Sequence, residues 1–195
     1  MDFQDQFWHY SDMSPTFRPN FEAPAWNLYG EQHLFPDVLH TERIRDRAAG
    51  LGWKIGTHRH PHLHQFFMIR SGQVAITADG ENFTPKPPFL LSIPRSAVHG
   101  FNFSAGTDGY VLTIPVASLP DILEGSTSIA QNFARMEILD ADEEIISAFD
   151  DLHVEHRGRA PGRALMLIAL ATRIACLLVR RLPERSGSSS QTSDQ

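Results

Sequence analysis

Three things are scarce in this 195-residue chain. Cysteine occurs once, as Cys176, so no internal disulfide can form and a reducing cytoplasm is the simplest setting. Positive charge is in deficit: 17 Lys and Arg against 23 Asp and Glu give a net charge of −6. No basic stripe of the kind a free-standing nucleic-acid binder carries is present. Long apolar runs are also missing. The most apolar stretch, residues 164–179, is broken by Thr172 and Arg173 and is shorter than the roughly 20 residues a bilayer needs. The N-terminus, Met1-Asp2-Phe3-Gln4-Asp5, is acidic and polar, which is wrong for a secretory signal. These absences point to a cytoplasmic globular protein with no membrane partner. The length suits one domain with a sizeable core and a small helical annex.

Histidine is what the chain has in quantity. Four of its 10 histidines, His58, His60, His62 and His64, stand at every second position, and His99 lies beyond further strand-like blocks. A strand puts residues i and i+2 on one face. His58 and His60 therefore converge, and His99 joins them if its strand lies alongside. Pro61 disrupts the alternation that would add His62 and His64. Three imidazoles suit a divalent metal. A carboxylate ligand, however, is lacking between His58 and Arg70, where Gln65 offers only a neutral amide. The alternative is an organic-ligand pocket. There the imidazoles and Gln65 hydrogen-bond a carboxylate or phenol, and Phe67, Phe101 and Phe103 form apolar walls. The plainest alternative is three structural histidines. Lys54 could neutralise a carboxylate if its side chain faces inward, although an exposed lysine is commoner. Cys176, on an apolar helix, reads as a buried, inert thiol.

Along the chain, residues 1–37 form an aromatic, proline-spotted arm without helical or strand period. It either docks by burial alone or closes over a pocket. Residues 38–116 alternate short strand patterns with turn signals: 38–45, 53–60, 65–70, 73–77, 83–84, 89–93, 99–103 and 110–114. Asp79-Gly80 marks a hairpin of the type I′ kind. Such spacing predicts a β-sandwich or barrel. Residues 117–182 turn helical, with a short helix at 119–123. Asp140 is the expected N-cap of the next helix, and a longer helix spans 163–182. That last helix is apolar around most of its circumference. This predicts a homodimer interface built on Leu167, Ile168, Ala171, Ile174 and Leu178, or burial of both faces within one chain. Residues 183–195 have the composition of a flexible linker, either a tail or the lead into a further domain.

Gly56, His58-x-His60, Gln65 and Gly72, followed by Pro94-x-Ser96-x-x-His99, resemble the two motifs of the cupin superfamily. Gln65 replaces the expected Glu, and Ser96 the expected Gly. The resemblance implies a mainly β, cupin-like double-stranded β-helix followed by an antiparallel helical pair. A narrower likeness covers nearly the whole chain. Asn27 to Glu31, His40 to Ile44, Trp53 to His60 and Pro94 to Phe103 resemble the N-terminal half of AraC/XylS-type transcriptional regulators, in particular sensors of 4-hydroxybenzoate and 4-hydroxyphenylacetate. That resemblance implies an effector-sensing and dimerisation module for a small aromatic acid. His58, His60, Gln65, Phe67, His99, Phe101 and Phe103 would line its pocket. No cofactor is implied, unless His58, His60 and His99 hold a divalent metal. The expected partners are the effector and a second copy of the chain. No helix-turn-helix pattern is present, so this chain is not expected to bind DNA by itself. The runner-up is a small metal-dependent cupin enzyme, a dioxygenase or isomerase. A third reading is a shortened regulator that acts only by pairing with an intact one.

Overall fold

The computed structural model describes residues 37–182. The expected arm up to residue 36 and the linker at 183–195 lie outside the described residues. Among those described, nine strands form two antiparallel sheets. The larger runs in the order β1 (His40–Arg43), β8 (Asp108–Pro115), β3 (Leu63–Ser71), β6 (Phe89–Ile93) and β9 (Glu137–Asp140). The smaller runs β2 (Lys54–His58), β7 (His99–Phe103), β4 (Val74–Ala78) and β5 (Glu81–Phe83). Without β9, strands 1-8-3-6 face strands 2-7-4-5, the order of an eight-stranded jelly roll. The expected mainly β, cupin-like fold is therefore present. The hairpin at Asp79-Gly80 has φ of 47° and 92°, as a type I′ turn requires.

Strand β3 shows why the larger sheet sits in the middle. Its residues from Leu63 to Ile69 are all buried. Phe67 and Ile69 point at the smaller sheet and share a core with Ile55, Val74, Ile76, Phe101 and Phe103. Phe66 and Met68 point the other way, into a core with Phe149, Leu152, Leu167, Ile174 and Leu178. Those last residues belong to two helices, α4 (Glu143–Arg157) and α5 (Arg163–Arg181), which follow a five-residue helical turn α1 (Ile44–Ala48) and the short helices α2 (Pro120–Leu123) and α3 (Ser128–Asn132). A sheet covered on both faces loses the polar–apolar alternation, and β3 reads as a nearly continuous apolar run. Polar ties fix α4 on the sheet. Arg70 donates to both oxygens of Asp150 at 2.7 and 2.9 Å, and the Tyr110 hydroxyl donates to Asp150 at 2.8 Å.

Several expectations need correction. The strand expected at 38–45 is only His40–Arg43, because Ile44 already begins α1. The N-cap of α4 is Asp142, whose Oδ1 accepts from the Ile145 amide at 3.0 Å. Asp140 comes too early: it ends β9 opposite Phe89 of β6. The segment 117–182 is not purely helical, since it returns β9 to the sheet, and its helices share the sheet's core. Most of the expected dimer face is inside the chain. Leu167, Ala171, Ile174 and Leu178 are at most 1% exposed, and Ile168 is half-buried. The four buried residues pack on α4 and the larger sheet and have no surface to offer a second copy. On α4 and α5 the large apolar residues left open are Val154, Leu165 and Met166, at 71%, 78% and 51% exposure. Cys176, expected to be buried, is exposed. No helix among the described residues is long and apolar enough to cross a membrane.

One consequence is a single cooperative unit. Truncating Phe66, fully buried between sheet and helices, is expected to destabilise by about 3–5 kcal/mol. Urea unfolding of Phe66→Ala should show sheet and helix signals still lost together. A helical signal surviving loss of the sheet would refute the shared core.

Candidate functional site

The histidine cluster forms where β2 and β7 run side by side in the smaller sheet. His58 and His99 are Cα partners across that pair, beside a register shift between Ile55 and His58. Gly100 permits the close approach. A Cβ there would lie 3.1 Å from the Thr57 amide nitrogen and 3.2 Å from the Ile55 carbonyl oxygen. His60 lies just past the end of β2. Its carbonyl accepts from the Ser96 amide at 2.7 Å, which ties the His60 segment to the turn leading into His99. Ser96 has φ of 65°, a left-handed conformation that glycine adopts without cost. The motif position that favours glycine is therefore a backbone requirement, and this chain meets it with serine.

The three rings meet inside the sandwich. Centroid distances are 4.4 Å for His58–His99, 4.8 Å for His58–His60 and 5.6 Å for His60–His99. One ring nitrogen from each lies within 4.8 Å of the others, and all three residues are buried. Gln65 reaches the cluster from β3 across the interior. Its Oε1 is 3.2 Å from His99 Nε2 and its Nε2 is 3.1 Å from the Thr113 hydroxyl. The phenylalanines follow: Phe101 lies 5.7 Å from His99, Phe67 is 4.3 Å from Phe101, and Phe103 stacks on Phe101 at 5.4 Å. All seven residues singled out from the sequence are thus brought into one interior cluster. Lys54 is not: its side chain is exposed, on the outer face of the sheet.

The protons decide what this cluster can bind. His58 Nδ1 is 2.7 Å from the Gly56 carbonyl, and His99 Nδ1 is 2.9 Å from the Ala97 carbonyl. A carbonyl only accepts, so both Nδ1 atoms carry hydrogen. Burial holds the pKa of both rings below the ordinary histidine value, that of His99 down to about 3. Both rings are therefore neutral near pH 7, and each Nε2 is an acceptor. Gln65 Oε1 beside His99 Nε2 then sets one lone pair against another. A neutral ring calls for a turned amide, or for a hydrogen donor or cation between them. His58 and His99 cannot donate from Nε2 to a carboxylate in the way the sequence suggested, which leaves that role to an N–H of His60 or of the Gln65 amide. The His58 and His99 pair suits an O–H donor or a metal ion.

The donor chemistry also passes a metal test. Histidine ligands commonly fix Nδ1–H on a carbonyl and offer Nε2, as His58 and His99 do. A tetrahedral zinc with bonds of about 2.0–2.1 Å would draw its donors to about 3.4 Å apart. The donors, now within 4.8 Å of one another, would have to draw together around such an ion, the widest pair by about 1.4 Å.

Two neighbours escaped the sequence reading. Thr113, facing Gln65 across β3 and β8, orients its amide. Arg47, in α1, pairs with Glu42 at 2.7 Å, and its charge helps depress His58 and His99. Neither carries a local sequence signal, since both act through strand register and chain reversal. His64 is separate. It points into the helix-side core, with Nε2 2.9 Å from the Ser92 hydroxyl and its ring against Phe66 and Phe133. His62 is exposed.

No family model and no curated protein sequence matches the chain. Solved structures do match. An apo variant of the regulator ToxT from Vibrio cholerae aligns with TM-score 0.47 at 9% identity, over 73% of this chain and 56% of that one. The AraC-like transcriptional activator CuxR aligns with TM-score 0.44 at 11% identity, over 77% and 52%. A cupin protein from Bacteroides fragilis aligns with TM-score 0.31 at 20% identity, over 51% and 91%. Fold neighbours thus include both AraC-like regulators and cupins. This chain spans little more than half the length of the regulators, and at these identities the likeness is one of fold.

The buried histidines set a pH limit. Burial lowers the pKa of His64 to about 3. The unfolded chain, titrating near 6.5, therefore binds more protons between those values. Stability is complete above pH 6.5 and falls as pH drops toward 3. Thermal melts from pH 7 to 4.5 should show a falling midpoint, with a shallower slope in His64→Gln. A flat profile in the parent protein would contradict the neutral, desolvated imidazoles.

Proposed function

We propose that this chain is the effector-binding part of an AraC-type transcriptional regulator and takes a small aromatic acid into the interior of its jelly roll. The supporting observation is the polar cluster of His58, His60, His99 and Gln65 in an otherwise apolar interior, with Phe67, Phe101 and Phe103 beside it. A purely structural core has no need of four polar side chains at one point. The acceptor character of His58 and His99 favours one end group of the ligand. A phenolic hydroxyl can donate to Nε2 of His58 or His99, while a carboxylate would turn toward Arg47. The sequence likeness to sensors of 4-hydroxybenzoate and 4-hydroxyphenylacetate agrees with this chemistry. The proposal gives the chain sensing and self-association in the cytoplasm, not DNA contact.

A second reading is favoured by the tautomers of His58 and His99, which are those of metal ligands. It is a small metal-dependent cupin enzyme, with His58, His60 and His99 holding a divalent ion that would supply Lewis-acid or redox chemistry. Gln65, being neutral, weakens that reading.

Calorimetry separates the two. 4-Hydroxybenzoate should bind saturably, and benzoate about tenfold or more weakly, because it leaves the buried acceptors unpaired. His99→Ala should abolish the difference. No heat from either acid, together with stoichiometric metal and turnover lost in His60→Ala, would establish the enzyme instead.

Self-association is proposed through the open ends of α4 and α5, where Val154, Leu165 and Met166 lie exposed. A second copy would cover that patch symmetrically, residue against residue. Light scattering should find a dimer that Leu165→Glu with Met166→Glu converts to a monomer. An unchanged mass would discard this face.

A further inference from the structure

The seam where α4 crosses β1 and β8 gathers cations without carboxylate partners. Arg43 and Tyr110 are Cα partners across β1 and β8, and the guanidinium lies 5.9 Å from the ring centre. His153 meets the same ring from α4, at a centroid distance of 4.9 Å. Arg157 follows one turn later on the same helix face. Three carboxylates are near, and each is engaged. Asp150 accepts from Arg70 and from Tyr110, Asp108 is 3.5 Å from Arg70, and Asp46 is 3.7 Å from Arg45. Among the described residues, Arg43 and Arg157 form no ion pair.

His153 adds a buried imidazole to this seam. It is 8% exposed, and its Nδ1 is sealed with no hydrogen-bond partner. Its other nitrogen is likewise unpartnered but is not sealed. Buried N–H groups without acceptors are rarer than buried lone pairs without donors. The neutral ring's proton is accordingly assigned to Nε2, the nitrogen that is not sealed, where no protein acceptor meets it. Burial and the charges of Arg43 and Arg157 keep this imidazole below its ordinary pKa, against a smaller opposing effect of Asp46 and Asp150.

We propose that this seam binds a tetrahedral oxyanion, either free phosphate or the phosphate of a phosphomonoester, with Arg43, Arg157 and His153 Nε2–H as its donors. Guanidiniums recognise such an anion by charge and by paired N–H groups. The anion would bridge a barrel strand and α4, and so tie the jelly roll to the helical pair. Nothing in this depends on what the barrel interior binds.

The test is an NMR titration of the imidazole resonances of the full 195-residue chain, with ionic strength held constant by sodium chloride. Inorganic phosphate and glycerol phosphate are added in separate arms. At least one should shift the His153 ring saturably and raise its pKa. The tighter of the two identifies the free ion or the ester as the source. Removing one guanidinium should weaken binding about tenfold in Arg43→Gln and in Arg157→Gln. Arg157 is exposed, so its variant should melt like the parent and separates lost binding from lost folding. No saturable shift with either anion, or equal binding in both variants, would overturn the proposal.

Discussion

The rest of this structure depends on the larger sheet being buried on both faces. β3 lies at its centre and is apolar on either side. One face closes the jelly roll against the smaller sheet, and the other receives α4 and α5. A sheet in that position must hydrogen-bond internally, and its side chains must be filled against from two directions. The helices are therefore part of the barrel's stability rather than an appended body. Asp150, which takes donors from both Arg70 and Tyr110, marks the place where the polar exception to that packing is satisfied.

Within this frame the histidine cluster is positioned by backbone rather than by packing alone. The β2–β7 pairing sets His58 opposite His99, and Gly100 lets the strands approach. Two backbone carbonyls, of Gly56 and Ala97, then determine the tautomers. The chemistry of the site follows from those carbonyls more than from the presence of three imidazoles. Had the Nδ1 atoms been left to accept, the same rings would offer N–H groups to an anion. As built, they offer lone pairs.

Much of this was legible in the sequence. Alternating histidines, Asp79-Gly80 and the runs at 89–93 and 99–103 are local signals, and the strands formed where those patterns lie. All seven residues chosen for the interior cluster came together because strand periodicity carries side-chain direction with it. Local patterns failed where a distant partner decided. Asp140 has the composition of a cap, but β6 claimed it for a strand. Leu167 and its neighbours look like an interface, but an apolar helix surface looks the same whether it meets its own sheet or a second copy.

By itself, then, the sequence determined the strand pattern, the jelly roll and the identity of the cluster, since each rests on short-range periodicity and turn chemistry. Only the tertiary structure decided which way the imidazoles present their protons, because the acceptors are backbone atoms whose placement depends on the β2–β7 pairing. It alone decided that α5 is covered by its own chain, because that follows from how α4 and the sheet meet it. It also exposed the seam in which Arg43 meets His153 and Arg157, more than a hundred positions further along the chain, because α4 crosses β1.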